Sequence, residues 1–352
     1  MIRSGLFISS ALVAGFANGE AAGPKTSLEL RMDLQSSSTE TKAPSSDAVK
    51  SKDTSFKIAR AKFNFKGSMS PNVSYRLRVD PTQNSVDYAY FDVKYSDTLS
   101  VKLGRLFAAY GAVENYYYTD IEVFDWSQTY APLYFTEGLE FVVTPAAGQT
   151  LTVQLLNDQG NTAADTDLTG DTKAFSYVAN WMGSFGPVHP IVSYGSTPRR
   201  QYKTVDGNED DAVSVTQISV GAKVKLGAAE VDLDVIQKNT PKYDYYAAGA
   251  TGTTATTQEE TKESALIFQT TYKVNKLKPF FKYRADSNEV TDGVKWDETG
   301  LTLGTFYMPD NSGFQYHAAY IATDRTITPA GAGAQDTTVK SSKIIFGMGA
   351  YI

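Results

Sequence analysis

The side chains best placed to act on other molecules are cations that recur at every second position of short segments. These cations are Arg60, Lys62, Lys66, Arg76, Arg78, Lys94 and Lys102, and on the same rows only Asp80 and Asp92 carry the opposite charge. Because alternate residues of a β-strand share one face, we expect the cations to form a basic wall. Such a wall acts on ions and polar solutes by electrostatics, without making or breaking bonds.

A second set of charges lies in segment 106–132, which also carries a dense run of aromatic residues. Its acids are Glu114, Asp120, Glu122 and Asp125. If this segment folds toward the basic wall, its acidic side chains face the basic side chains across a narrow gap. Such a gap orients polar solutes and determines which ions pass preferentially. For the acids, the alternative is a loop that is exposed to solvent. For the basic wall, the alternative is that these cations give an inner surface its ordinary polarity without forming a constriction.

A third group of cations, Arg199, Arg200 and Lys203, follows in a later polar segment and suggests an approach path for anions. A dedicated phosphate channel would need cations to dominate both the approach and the wall. Against this stand the acidic loops and a formal net charge of -6. The sequence therefore favours general diffusion with mild ion preference over a specific phosphate channel.

Catalytic and metal chemistry find little support in the composition. The chain has no cysteine and only two histidines, His189 and His317, which excludes thiolate sites and leaves little for a histidine cluster. The acid-rich stretches 161–171 and 208–211 are better explained as solvated loops than as Ca²⁺ sites. We expect no enzymatic activity and no cofactor, and the acidic balance argues against a nucleic-acid partner.

The elements that position these side chains alternate apolar and polar residues. In residues 27–35, Leu28, Leu30, Met32 and Leu34 alternate with Glu29, Arg31, Asp33 and Gln35. The period of two predicts strands with one apolar and one polar face. Further strands are predicted at 59–66, 75–80, 88–95, 99–104, 134–143, 150–157, 174–183, 188–195, 213–226, 229–237, 264–274, 279–286, 297–307, 314–322 and 340–352.

The links between these strands alternate in length. Short links are predicted at 69–72, 96–98, 145–149, 183–187, 227–228, 275–278 and 309–313. Long polar links are predicted at 36–54, 106–132, 158–173, 196–212, 238–263, 287–296 and 323–339, with 81–85 as a short member of this class. Such sorting is typical of an up-and-down barrel in an outer membrane, with short periplasmic turns and long extracellular loops.

The apolar faces also need a covering that the sequence does not supply as a second protein layer. Lipid can cover them while the polar faces line a wet lumen, and closure satisfies every backbone hydrogen bond. We therefore predict an all-β fold, a closed antiparallel transmembrane β-barrel of about 16 strands, which is wide enough for an aqueous channel. A soluble all-β protein is the alternative. Candidates for aromatic girdles are Tyr75, Tyr95, Trp181, Tyr194 and Tyr272.

Both ends of the chain indicate export to the outer membrane. Residues 1–22 combine a positive start, an apolar run and small residues, which predicts a signal peptide cleaved near 17–22. Residues 23–352 then form a single barrel domain. The last strand, with apolar residues at alternate positions up to Ile352, resembles the recognition segment of outer-membrane barrels. We expect a Gram-negative outer membrane, with the lipid bilayer and lipopolysaccharide as partners.

The N-terminal third resembles a known family. The matching segments are Phe56–Gly67, Tyr75–Asp80, Tyr88–Tyr95, Val101–Phe107 and Tyr110–Glu114. They are similar to the phosphate-selective porin O/P family and to general diffusion porins. The resemblance implies a 16-stranded homotrimeric porin with its third long loop folded into the lumen. It implies passive diffusion of small hydrophilic solutes and ions; a phosphate-selective channel is the alternative, and a barrel-type surface-binding protein or enzyme is less favoured.

Overall fold

The computed structural model describes residues 24–111, 126–127, 135–157, 175–200, 212–245, 256–309, 313–331 and 335–351. The strands are β1 (Lys25–Lys42), β2 (Val49–Ser70), β3 (Val73–Asp80), β4 (Ser85–Lys94), β5 (Leu99–Phe107), β6 (Phe135–Val143), β7 (Gln149–Asn157), β8 (Phe175–Gly183), β9 (Val188–Arg200), β10 (Ala212–Leu226), β11 (Ala229–Thr240), β12 (Tyr243–Tyr245), β13 (Thr256–Gln258), β14 (Thr261–Tyr272), β15 (Leu277–Val290), β16 (Lys295–Tyr307), β17 (Phe314–Thr328) and β18 (Thr337–Tyr351). In this part of the chain, no helix has the length and apolar character needed to cross a membrane.

All strands except β12 and β13 belong to one closed antiparallel barrel of 16 strands. The first and last strands close it, in register from Glu29↔Tyr351 to Lys42↔Thr338. Strand β11 pairs directly with β14, because β12 and β13 form a separate two-stranded sheet between them. Closure leaves the barrel without an edge strand, and it confirms the predicted fold and strand number.

The two rims of the barrel differ in their connections. The rim that holds Lys25 and Tyr351, which we call the short-turn rim, has links at 71–72, 95–98, 144–148, 184–187, 227–228, 273–276 and 308–313. The opposite, long-loop rim has links at 43–48, 81–84, 108–134, 158–174, 201–211, 241–260, 291–294 and 329–336. The longest links, 108–134, 158–174, 201–211 and 241–260, all lie at the long-loop rim, whereas 43–48, 81–84 and 291–294 are about as short as the links of the short-turn rim.

Two of the predicted long links are mostly strand. Within 36–54, β1 and β2 stay paired from Ser36↔Thr54 to Thr41↔Val49, and within 287–296 only 291–294 connects β15 to β16. These paired extensions are polar on both faces. Since the prediction relied on apolar residues at alternate positions, it could not detect strands that continue beyond the apolar band.

The outer surface of the barrel is apolar and the inner surface is largely polar. On β1, Met32 is 44% exposed, whereas Arg31 and Asp33 on either side are 4% and 1% exposed. The exposed apolar row continues around the barrel through Phe63, Leu77, Phe91, Leu103, Val153, Val192, Val220, Leu233, Leu266, Leu303 and Phe346. This arrangement, the reverse of a soluble protein, is that of a barrel whose outer surface meets lipid.

Several of the exposed aromatic residues lie at the short-turn rim, while others, such as Phe175 and Tyr177, lie toward the long-loop rim. Those at the short-turn rim include Tyr95, Phe185, Tyr272, Tyr307, Phe314 and Tyr316. Of the predicted girdle residues, Tyr95 and Tyr272 belong to this set, and Trp181 packs against Phe185 with a centroid distance of 6.2 Å. Tyr194 is also exposed but lies in the middle of β9. An aromatic belt at a rim is the position that membrane barrels use at the lipid–water interface.

One β-bulge changes the predicted alternation of β2. The register moves from Arg31↔Arg60 to Met32↔Ile58, so Ala59 is the additional residue. The sequence placed Ala59 on the apolar row; the structure instead places it against a cavity inside the barrel, and Ile58 takes the outward position at 59% exposure.

The inner surface is not polar throughout, in contrast to the prediction. Buried apolar residues that share the inward rows of β15–β18 form one cluster: Phe280, Phe306, Ala319, Ile321 and Ile345. A second cluster on β11 and β14 contains Ile236, Ala265 and Ile267. The lumen wall therefore carries apolar clusters at β11 and β14–β18, alongside buried charges such as Arg284, Asp286 and Glu298, and a dense set of charges at β2–β6.

An arginine placed on the outward row of β1 tests the assignment of the two faces. Leu30→Arg is expected to lower the free energy of unfolding from lipid vesicles by about 2–4 kcal/mol, the cost of a cation near the bilayer midplane. Gln35→Arg, on the inward row of the same strand, is the matched control and should have a mild effect. Equal losses in guanidinium unfolding experiments would contradict the assignment.

Candidate functional site

A cavity of about 1180 Å³ lies inside the barrel against β2–β6. Its cationic lining residues are Arg60, Lys62, Arg76, Arg78, Lys102 and Arg105, and its carboxylates are Glu29, Asp80, Asp87 and Glu140. Its aromatic lining residues are Tyr88, Tyr90, Phe107, Trp126, Phe135 and Tyr351. Five of the seven predicted wall cations thus meet at one cavity, together with more acids than the sequence indicated.

Asp87 is the acid that sequence analysis missed on this side of the lumen. Between β3 and β4 the register moves from Arg78↔Tyr88 to Val79↔Val86, which makes Asp87 the additional residue of a bulge. Its side chain is buried, and Lys62 Nζ and Arg78 Nε donate hydrogen bonds to its Oδ2 at 2.9 and 2.8 Å. One carboxylate therefore balances two cations of the wall.

Carboxylates from neighbouring strands pair with the other wall cations. Lys102 on β5 donates a hydrogen bond to Glu140, which lies directly opposite it on β6. Arg60 on β2 lies 3.4 Å from Glu29 on β1. The sequence prediction compared charges only along the same rows, so it did not count partners supplied across the sheet.

Arg76 differs from the other cations of the cavity. Its Nη2 donates a hydrogen bond to Asn64 Oδ1 at 3.2 Å, and its guanidinium lies 4.1 Å from the centroid of the Tyr88 ring. The buried Nε has no hydrogen-bond acceptor, and no carboxylate lies within 4.0 Å of this side chain in the ranges that the structure describes. Its positive charge is therefore the least compensated among the cations that line the cavity.

The remaining two predicted wall cations lie away from the cavity. Lys66 is exposed and pairs in register with Arg76. Lys94 lies at the short-turn rim, where its Nζ donates a hydrogen bond to Asp97 Oδ1 at 2.7 Å. That hydrogen bond lowers the pKa of Asp97, an exposed residue of the turn.

Arg105, which sequence analysis did not assign to the wall, lines the cavity and pairs with Glu137 at 2.7 Å.

The first described residues after β5 bind the inner wall. The backbone N–H of Ala109 donates a hydrogen bond to Gln154 Oε1 at 2.7 Å, and that of Gly111 donates to Ser193 Oγ at 3.0 Å. Ser127, further along the predicted constriction segment, donates a hydrogen bond to Asp286 on β15. These contacts reach β7, β9 and β15, which places both described parts of the segment in the lumen. Residues 106 and 107 belong to β5, so the link itself begins at 108.

Several predicted site residues lie outside the described residues. These are the acids Glu114, Asp120, Glu122 and Asp125, and the cation Lys203. Arg199 and Arg200 end β9, but their side chains are likewise outside the described set. The predicted signal peptide, residues 1–22, is outside it as well.

Tyr110 fixes this segment to β9 through a contact that depends on a glycine. Its hydroxyl hydrogen-bonds with Thr197 Oγ1 at 2.7 Å, and its ring packs in a buried cluster with Leu106 and Leu156. The ring also lies directly on Gly195, where an added Cβ would be 1.4 Å from Tyr110 Cε1. A side chain at position 195 and the tyrosine ring cannot occupy this space together.

A buried charge cluster joins β1 to β17 across β18, at the closing seam of the barrel. Arg31 Nη2 donates a hydrogen bond to Asp33 Oδ2 at 2.5 Å, and His317 Nε2 lies 2.8 Å from Asp33 Oδ1. Gly347 makes room for this cluster, because an added Cβ would lie 2.4 Å from His317 Nε2 and 2.5 Å from Asp33 Oδ1. Sequence analysis found no partner for His317, since Asp33 is 284 residues away in the chain.

A second buried network lies on β15, β16 and β17. It includes Asp286, which accepts the hydrogen bond of Ser127. Arg284 Nη1 donates a hydrogen bond to Asp286 Oδ2, and its Nη2 donates to Glu298 Oε1 at 2.5 Å. Arg325 Nε donates to the other oxygen of Glu298, also at 2.5 Å. The carboxylate that accepts from Ser127 is thus held by an arginine. The described residues contain no group of three or more histidine, aspartate or glutamate side chains placed to hold a metal ion.

The family comparison covers nearly the whole barrel. Residues 29–346 match the family model described as phosphate-selective porin O and P. No curated protein sequence matches the chain. The family match therefore reaches beyond the N-terminal third. It includes both the charged wall at β2–β6 and the apolar clusters at β11 and β14–β18.

Solved structures with a similar fold come from bacterial outer membranes. In-vitro folded OmpT, an outer membrane protein of Vibrio cholerae, is 13% identical with a TM-score of 0.59, and the match covers 96% of this chain and 100% of that chain. The outer membrane channel DcaP of Acinetobacter baumannii is 13% identical with a TM-score of 0.59, covering 93% of this chain and 97% of that chain. At this level of identity the likeness shows the fold.

A trimer is among these structures. The trimer form of in-vitro folded OmpT from Vibrio cholerae is 13% identical with a TM-score of 0.54. The match covers 94% of this chain and 100% of that chain. The barrel fold is therefore shared with proteins that are only 13% identical to this chain.

Proposed function

The chain belongs to the phosphate-selective porin O and P family, and from this membership we propose that the cavity beside β2–β6 is where the channel selects among solutes. The protein is an outer-membrane porin, a water-filled barrel for the passive diffusion of small hydrophilic solutes and ions. The observation that carries the proposal is the meeting of six cations and four carboxylates at one cavity inside the barrel.

The balance of charge at this cavity favours general diffusion with a mild anion preference. Asp87 compensates Lys62 and Arg78, and Glu140 compensates Lys102. A mixed wall of this kind orients polar solutes, whereas tight phosphate binding needs several uncompensated cations that converge on one anion. A dedicated phosphate channel of the same fold is the second candidate, supported by the family and by Arg76.

Segment 106–132 is proposed to narrow the lumen opposite the basic wall. The hydrogen bonds of Ala109, Gly111 and Ser127 to inward-facing wall residues support an inward course. The acids Glu114, Asp120, Glu122 and Asp125 would then face the wall cations. Arg199, Arg200 and Lys203 are proposed to draw anions toward the long-loop mouth by long-range electrostatics.

We propose a homotrimer whose outer surface contacts the lipid bilayer and lipopolysaccharide. The trimer form of the similar OmpT supports the subunit number, and the exposed apolar row with its aromatic rim supports the lipid contact. Passive diffusion requires no turnover and no cofactor. A surface-binding or enzymatic role is therefore less favoured, although the fold alone does not distinguish these functions.

Reconstitution of the purified protein in a planar bilayer tests the proposed function. We expect stepwise increases of current in KCl, with closures in groups of three if the channel is a trimer. A purified, correctly folded trimer that inserts and never conducts would contradict the channel function. The single-channel reversal potential in a salt gradient then gives the sign of the ion preference.

Removal of the Asp87 charge is expected to make the channel more anion-selective. In Asp87→Asn the shape of the side chain is kept while Lys62 and Arg78 lose their shared counter-charge. The permeability ratio of chloride to potassium should rise several-fold, because the uncompensated cations attract anions and repel potassium. Asp97→Asn, at the exposed rim turn, is the control. An unchanged reversal potential for Asp87→Asn would show that this cavity does not select ions.

A further inference from the structure

The chemistry around Arg76 suggests a class of preferred solutes. We propose that this part of the cavity binds small organic anions with a flat apolar body, of which an aromatic carboxylate is the simplest example, in preference to inorganic phosphate. The inference rests on the proposed channel function and names its solute class. It depends on one cation, Arg76, and on the aromatic side chains that surround it.

Arg76 offers donors that its own structural contacts do not use. Stacking on Tyr88, at 4.1 Å, involves the face of the guanidinium and leaves its in-plane N–H groups available. One of these, on Nη2, donates to Asn64, and the Nε, which has no acceptor, is buried, so the terminal Nη1 and Nη2 groups are those that a solute can reach. A carboxylate matches the fork of a guanidinium, since its two oxygens can accept two parallel hydrogen bonds. No protein carboxylate occupies this position in the described ranges.

The aromatic residues near Arg76 form a connected set of rings, and the guanidinium of Arg78 also lies over this set, 4.5 Å from the Tyr88 centroid and 5.3 Å from the Phe135 centroid. Tyr88 contacts Phe135 edge to face with centroids 5.0 Å apart, and Phe135 contacts Phe107 at 5.2 Å. Tyr90 adds a further edge contact to Tyr88 at 5.8 Å. All four rings line the cavity. Aromatic ligands gain affinity from such edge and stacking contacts beyond the burial of area.

Inorganic phosphate fits this site less well than an organic monoanion. It has no apolar body for the aromatic surface, and burying its strongly hydrated oxygens beside rings leaves some of them without donors. The buried carboxylate of Asp87, which lies beside Arg78 at 2.8 Å, repels a dianion more strongly than a monoanion. Among the cavity cations, Arg76 alone has no carboxylate within 4.0 Å in the described ranges, and a single carboxylate of a solute suffices to compensate it.

Block of the single-channel KCl current by added anions tests the inference. Benzoate, acetate and inorganic phosphate are compared at the same ionic strength and pH. We expect benzoate to reach half-block at a concentration about 10-fold lower than acetate, because only benzoate gains the ring contacts. Phosphate should block no better than acetate. Phosphate that blocks as well as benzoate, or benzoate that blocks no better than acetate, would overturn the inference.

Three variants locate the effect, and a fourth serves as the control. Arg76→Gln should raise the half-block concentration of benzoate about 10-fold, because the charge-assisted hydrogen bonds are lost. Tyr88→Leu should bring benzoate close to acetate, whereas Tyr88→Phe keeps the ring and should retain the preference. Lys50→Gln removes an exposed cation at the far end of β2 and should change nothing. Equal effects of Arg76→Gln and Lys50→Gln would place benzoate elsewhere.

Direct binding separates failure of the inference from failure of the proposed function. Titration of the detergent-solubilised wild-type protein with benzoate, followed by calorimetry, measures the site without any need for conductance. A protein that binds benzoate more tightly than acetate but never conducts would contradict the channel function and support the site. A protein that conducts normally but binds benzoate no better than acetate would contradict the site alone.

Discussion

Replacement of Asp33 by leucine is expected to lower the free energy of unfolding by about 3–5 kcal/mol, because it breaks a buried ion pair by removing the carboxylate that Arg31 binds. Asp33 is 1% exposed and binds both Arg31 and His317. The cluster ties β1 to β17 across β18, so the loss falls on the strands that close the barrel. Guanidinium unfolding of the protein in lipid vesicles measures the change.

A double variant separates loss of the carboxylate from loss of the cluster. Arg31→Met combined with Asp33→Leu removes both charges and should recover most of the lost stability, since apolar replacement of a whole buried pair is often close to neutral. Asp53→Leu, at an exposed position on β2, is the control for the substitution itself. Equal stability losses in the single and double variants would show that the broken ion pair between Arg31 and Asp33 is not the cause.

The architecture of the barrel could be predicted from sequence because lipid and lumen impose opposite demands on successive residues. Met32 outward and Arg31 inward follow directly from the period of two, and the same pattern gave the correct number of barrel strands. The pattern disappears where both faces meet water. The paired extension from Ser36↔Thr54 to Thr41↔Val49 was therefore interpreted as a loop, although backbone pairing continues through it.

The candidate site could be predicted only in part, because alternation identifies a face and not the partners on it. Arg60 and Arg78 were placed correctly on the inner wall. Asp87 was missed because a bulge turns it inward, and Glu140 because its partner Lys102 is on the adjacent strand. Bulges and cross-strand pairs depend on register, which a single sequence does not fix. The apolar clusters inside the barrel were missed because the prediction assumed that the inward-facing residues of each strand are polar.

Substitution of Gly195 by alanine is expected to release Tyr110 from the inner wall. The added Cβ would lie 1.4 Å from Tyr110 Cε1, so the ring has to leave its pocket and its hydrogen bond to Thr197. The free energy of unfolding should fall by about 3–5 kcal/mol, the cost of removing a large buried side chain from a packed site. Single-channel conductance should rise at the same time, because segment 106–132 loses its attachment to β9.

A double-mutant cycle shows whether the tyrosine ring is the cause. In a Tyr110→Ala background the space above Gly195 is empty, so adding Gly195→Ala should cost almost nothing, and alanine even reduces the entropy of the unfolded chain. The coupling energy between positions 110 and 195 should therefore nearly equal the whole cost of Gly195→Ala in the wild-type protein. If Gly195→Ala costs the same in both backgrounds, the ring does not rest on this glycine. An unchanged conductance in Tyr110→Ala would show that attachment to β9 does not determine the width of the pore.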